Sequence, residues 1–146
     1  MIFTKKINFY DTSSLLLIGD SLFENNENEI ALSIITLKEL EKIKTAVNKD
    51  PDIKYSARQV VNLLENHFGE YQIILLHPEY DLDIANSTND TKILACANYL
   101  QKEKGYAVNF ITNDLCLKHL ARHLFDFYEV SSINEDGDIY DGYLDI

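Results

Sequence analysis

Four acidic residues stand where a strand-like run gives way to a helix-like one. Asp11 closes the apolar run 7–11, and Glu39 lies just inside the helical pattern that begins at Thr36. Asp90 opens the helical pattern after a long polar loop, and Asp114 separates the run 108–112 from the helix that follows. Carboxylates crowded together repel one another unless positive charge sits between them. Hard divalent cations with oxygen ligands are the common answer, and Mg²⁺ binds through a few carboxylates together with water and phosphate. Ions held that way activate water and stabilise the charge of a phosphoryl transition state, so the chemistry these residues suit is phosphodiester hydrolysis. A structural role explains the same positions: acids at helix starts cap N–H groups and oppose the helix dipole. Ser87-Thr88-Asn89-Asp90 and Thr112-Asn113-Asp114 both read as ordinary caps, and position alone leaves the two readings open.

The elements that must position these acids alternate. Strands are expected at 7–11, 29–35, 71–77, 108–112 and 127–130, the run 71–77 as a central strand because it is continuously apolar. Helices are expected at 13–22, from Thr36 to about 47, from 53 to 68, from 90 to 103 and from 114 to 124. Leu37, Leu40, Ile43 and Val47 share one face of the second helix, and Ala57, Val61, Leu64 and Phe68 one face of the third. Glu39 borders the apolar face of its helix, in the first turn, and Asp90 shares a face with Ile93 and Leu94. Such alternation predicts an α/β fold, a mainly parallel central sheet with helices on both faces. In that architecture the functional crevice lies beyond the carboxyl ends of the strands, and all four acids fall on that edge. The expected organisation is one domain over 1–130 and an acidic, aromatic C-terminal tail over 131–146 that could begin a linker.

The order and context of the acids resemble those of PIN-domain nucleases. Asn8-Phe9-Tyr10-Asp11-Thr12-Ser13 is similar to their first motif, an apolar strand ending in Asp-Thr or Asp-Ser. The segment 35–44 around Glu39 looks like the second, Asn89-Asp90-Thr91-Lys92-Ile93-Leu94 like the third, and Phe110-Ile111-Thr112-Asn113-Asp114 like the fourth. Each motif alone is weak, but four in order over residues 7 to 130 are fairly specific. The resemblance implies a PIN-like α/β/α sandwich. It also implies a Mg²⁺- or Mn²⁺-dependent endoribonuclease in which Asp11, Glu39, Asp90 and Asp114 are both catalytic and metal-binding. Thr12, Thr112 and Asn89 would support that set from behind. Ala57-Arg58-Gln59, the Asn89-Asp90 pair and Tyr140-Asp141-Gly142 further resemble the PIN domain that precedes PhoH-type ATPases. That subclass usually continues its fourth motif with Asn, Leu and Arg, where this chain has Cys116, Leu117 and Lys118. A Cys in that place cannot act as an Asn oxygen that orders water. No Gly-x-x-x-x-Gly-Lys-Ser/Thr loop is present, so the chain itself carries no ATPase.

Bulk properties set the limits. The chain has 146 residues, 46% of them hydrophobic, enough for one core. Its net charge of −11 opposes simple electrostatic binding of nucleic acid. The imbalance is local: residues 126–146 hold seven acids and no Lys or Arg, which leaves 17 acids against 13 basic residues before them, a net of −4. Six of those basic residues lie between Lys38 and Arg58, and Lys38, Lys42 and Arg58 are the candidates for contact with an RNA backbone, a solvated helix face being the alternative. No run reaches transmembrane length, no secretory leader is evident, and two isolated cysteines make no disulfide framework, so a cytoplasmic location with reduced thiols is expected.

His119 and His123, four apart on one helix face, could hold zinc, but no third soft ligand is evident in the sequence. The aromatic tail reads as core closure or a partner surface rather than a base-stacking platform. The expected substrate is RNA, single-stranded or structured, with no membrane partner. Two alternatives remain: a non-catalytic RNA-binding or protein-interaction module with a weakened metal site, and the toxin of a toxin–antitoxin pair. A homo-oligomer stays open, as does an ATPase domain or an antitoxin partner outside this chain.

Overall fold

The computed structural model describes residues 2–24 and 27–141. Tyr143 and Gly142, part of the expected aromatic tail, lie outside them. Six strands form one sheet in the order β3-β2-β1-β4-β5-β6. Strands β1 (Lys6–Tyr10), β2 (Glu29–Ser33), β3 (Gln72–Ile74), β4 (Ala107–Ile111) and β5 (Glu129–Ile133) run parallel, and β6 (Ile139–Tyr140) pairs antiparallel with β5. The helices are α1 (Thr12–Ile18), α2 (Ile34–Thr45), α3 (Pro51–Asn66), α4 (Asn89–Lys102) and α5 (Leu115–Leu124).

The pleat sends alternate residues of each strand into one of two cores. Ile7 and Phe9 of β1, with Val108 and Phe110 of β4, pack against Leu94, Ala97 and Leu100 of α4 and Leu117 and Ala121 of α5. Tyr10, Leu32 and Ile111 point the other way, toward Leu15 of α1, Leu40 of α2 and Ala57 and Leu64 of α3. Helices therefore cover both faces, as the alternation of elements predicts. The aromatics that lead into the tail divide as core closure requires: Phe125 is buried and Phe127 stacks on Phe110 at 5.3 Å, whereas Tyr128 stays exposed.

Several boundaries differ from the sequence expectation, each for a local reason. The run 71–77 is an edge strand of three residues rather than a central one; Leu75 is exposed and the ladder ends at Ile74. Ser33, not Thr36, caps α2, its hydroxyl accepting the Ile35 N–H at 2.9 Å, so β2 stops two residues earlier and Glu39 falls in the second turn. Helix α2 ends at Thr45, which leaves Val47 exposed, and α3 begins at Pro51, whose fixed φ suits a first helical position. It also ends before Phe68, which is 84% exposed instead of inward. The first helix stops at Ile18 because Gly19, at φ 49°, turns the chain into a 3-10 segment. Helix α4 begins at Asn89, one residue earlier than expected, capped by Thr88 in a reciprocal pair with Thr91. The last parallel strand lies at 129–133, later than expected, and β6 follows it.

Candidate functional site

The sheet order reverses direction at β1, which has β2 on one side and β4 on the other. A crevice opens at such a switch point because the connections leave on opposite faces. Asp11 follows β1 and Asp114 follows β4, so both arrive at this crevice from adjacent strands. Glu39 reaches it from the second turn of α2 and Asp90 from the first turn of α4. All four acids line one open cavity of about 490 Å³, together with Thr12, Ser13 and Asn89.

The acids are held very differently. Asp11 is 2% exposed and is held by three donor groups. Its Oδ1 accepts the Ser14 N–H at 2.8 Å, Ser13 Oγ lies 2.9 Å from both carboxylate oxygens, and the Thr112 hydroxyl donates to Oδ2. Burial nevertheless pushes its pKa up, against the lowering effect of those hydrogen bonds. Thr112, itself fully buried, also accepts the Asp114 N–H at 3.0 Å, and one hydroxyl thus fixes the backbone of one acid and the side chain of another. Asp114 is exposed and caps α5, its Oδ1 accepting the Leu117 N–H at 3.1 Å. The capping reading of Asp114 is therefore correct as far as one oxygen goes, and the residue lines the cavity as well.

Glu39 is tethered from two sides, by the Thr12 hydroxyl at 2.6 Å on Oε1 and by Asn89 Nδ2 at 3.5 Å on Oε2. What marks Asp90 is its field. Its pKa is raised by burial first and then by the negative charges of Asp114, Glu39 and Asp11. One acid thus feels the other three, which shows that the four share an electrostatic neighbourhood. Among the described residues, however, no three His, Cys, Asp or Glu side chains stand close enough to form a ready-made metal-binding group. The shared field and the cavity lining describe acids around a space; ligand spacing would need side-chain rotation into it. The donor set is all oxygen, which fits a hard divalent ion rather than a thiophilic one.

Of the basic candidates, Lys42 lines the cavity, as does Lys49, while Lys38 and Arg58 are exposed elsewhere. Leu16, Ile43, Ala46 and Ile93 complete the wall. Ser13 is the residue that sequence reasoning missed. Besides approaching Asp11, its Oγ accepts the Asn113 N–H at 3.0 Å and ties the end of β4 to the start of α1. The available signal was the hydroxyl run Thr12-Ser13-Ser14 directly after Asp11. At the position after the fourth motif, Cys116 is exposed, Leu117 enters the core and Lys118 is buried, donating to Ser132 Oγ, which in turn donates to the Thr112 carbonyl at 2.8 Å. His119 and His123 are exposed on α5, their ring centroids 6.0 Å apart.

The family model described as PIN domain matches residues 9–124, a span that includes all four acids. The chain belongs to the PIN-domain family. Members of this family are in general nucleases. No curated protein matches this PIN domain. Among solved structures it is similar to VapBC-1 from nontypeable Haemophilus influenzae, at 19% identity and a TM-score of 0.45, covering 84% of this chain and 98% of that one. The resemblance to the PhoH-associated subclass has no counterpart among these matches. Among the described residues no helix of this PIN domain is long and apolar enough to cross a membrane.

Proposed function

We propose that this PIN domain is a divalent-metal-dependent endoribonuclease whose site is built from Asp11, Glu39, Asp90 and Asp114. The observation that carries the reading is the convergence of four acids, from four separate β–α units, on one cavity at the switch point of the sheet. Structural capping explains Asp114 and part of Asp11, but not the like-charge field at Asp90. Mg²⁺ or Mn²⁺ bound among these oxygens would neutralise that field and supply an activated water together with charge stabilisation at phosphorus.

The chain's own residues divide the remaining work. Asp11, clamped by Ser13, Ser14 and Thr112, is the fixed reference point of the site. Asp90 and Asp114, less enclosed, would hold the cation together with Asp11. Glu39, whose longer side chain is oriented by Thr12, is placed to accept a proton from a water in the cavity. Lys42 and Lys49 belong to the same lining as the acids and attract the phosphate backbone.

The spacing of the acids favours a second reading in which the site is weakened and the domain only binds RNA. A fluorescent single-stranded RNA incubated with Mn²⁺, with and without EDTA, separates the two. Cleavage that needs the metal and disappears when all four acids are replaced by their amides supports the enzyme; metal-independent binding without cleavage supports the binding module.

A further inference from the structure

Hydrolysis by carboxylates and cations requires no apolar surface, yet much of this cavity's lining is apolar. Ile43 and Ala46 stand three apart on and just beyond α2, so they fall on one face, and Leu16 of α1 adjoins them. All three are partly exposed, and the wall of the cavity is more apolar than polar. Lys42 and Lys49, both exposed, belong to the same rim. Glu39 stands one turn before Ile43 on the same helix, and the other three acids come from the connections after β1 and β4 and from the start of α4. An anionic polymer approaching four acids gains nothing from them until cations bind. Its binding free energy must come from elsewhere, and the apolar wall with two ammonium groups beside it is the complementary surface the cavity offers.

Resting on the nuclease reading above, we propose that Leu16, Ile43 and Ala46 form a seat for one unpaired nucleobase of the RNA, with Lys42 and Lys49 holding the phosphate attached to it. A paired base presents only its edge and cannot enter a recess of this size, whereas a splayed base brings an apolar face to it. The wall includes no aromatic ring, so the seat works by apolar contact rather than stacking and should tolerate any of the bases. It fixes one nucleotide at a set distance from the acids and so decides which bond of a flexible strand is presented to them.

The test is a double-mutant cycle between substrate and protein. A single-stranded RNA with one mapped cleavage site is prepared with a single abasic nucleotide at each position around that site, and single-turnover rates are measured against enzyme concentration. One position near the cut should raise the half-saturating concentration about tenfold with little change in maximal rate, as the loss of roughly 50 Å² of apolar contact implies. Ala46→Asp and, separately, Ile43→Ser should raise it similarly for the intact strand and add almost nothing for that abasic strand. Thermal melts confirm that each variant is folded, and Ala46, at the end of α2 and partly exposed, is the safer replacement. Equal cleavage of every abasic strand, or protein and substrate defects that simply multiply, would overturn the seat while leaving the nuclease intact. If no metal supports cleavage, the nuclease reading fails, and fluorescence anisotropy of the same oligonucleotides with Mn²⁺ decides the seat. Affinity that falls with one abasic position and with Ala46→Asp supports it, and affinity indifferent to both removes it.

Discussion

The Thr12 hydroxyl donates to Glu39 Oε1 at 2.6 Å and so joins the start of α1 to the second turn of α2. The oxygen of Thr36, a residue with no exposed surface, lies 3.2 Å from the same hydroxyl. A glutamate side chain has three rotatable bonds, and this contact selects one arrangement among many. Thr12→Val should therefore leave Glu39 free to turn away, lowering the cleavage rate about tenfold, in line with the roughly 1.5–3 kcal/mol typical of a hydrogen bond to a charged group. Thr12→Ser should restore most of it. Rates of the three proteins at saturating Mn²⁺ check this, and equal loss in the Val and Ser variants would deny the hydroxyl its role.

Asp90 carries a pH signature. Burial first, then Asp114, Glu39 and Asp11, raise its pKa above the ordinary carboxylate value. The folded protein therefore binds this proton more tightly than the unfolded chain does. The stability associated with it is fully present below the unfolded pKa and is lost as pH rises through the raised folded value. In EDTA, Asp90→Asn should accordingly melt higher than the parent at pH 7 to 8, and the gap should close as the pH falls below the ordinary carboxylate range. Millimolar Mn²⁺ should reverse the ranking at neutral pH by stabilising the parent through binding. Melts over pH 4 to 8 with and without metal measure both; a parent indifferent to Mn²⁺ at every pH would count against metal binding.

Core and site should separate cleanly under mutation. Leu40 is fully buried one residue after Glu39 and packs in the cluster formed with α1 and α3. Leu40→Ala should cost about 2–5 kcal/mol of stability through lost burial and the cavity left behind. The cleavage rate per folded molecule, taken from denaturant titration and active-fraction measurement, should change far less than it does in Thr12→Val.

How much of this was legible in the sequence depends on the range of the determining interaction. Three of the four acids announce themselves because Asp11, Asp90 and Asp114 stand at or beside a helix start, and helix starts are marked by local signals such as the hydroxyls of Thr88 and Thr112; Glu39, in the second turn of α2, is marked by its place beside the apolar face. The face alternation of β1 and β4 was legible for the same reason: Phe9 and Tyr10 must face opposite cores if both are buried. Strand β3 was not, because Leu75 and Leu76 prolong an apolar run past its ladder, and nothing local says that no strand lies beyond it. Nor was Thr36 legible. It looks like a cap, but Ser33 takes that role three residues earlier, and Thr36 instead meets Thr12 from 24 residues away. Ser13 escaped notice because its partners, Asp11 and Asn113, come together only when β1 and β4 pair.

On the proposed function, Asp11 and Asp114 serve a metal-dependent cleavage reaction. Replacing either with Asn keeps its shape and removes one negative charge. Single-turnover cleavage of a labelled single-stranded RNA in Mn²⁺, by folded parent, Asp11→Asn and Asp114→Asn proteins, tests it most directly. The parent should cleave, EDTA should stop it, and each variant should be slower by on the order of 10²-fold, the usual scale for losing a group that stabilises transition-state charge. An Asp11→Asn protein as fast as the parent, or a parent inert in every divalent metal, would contradict the account.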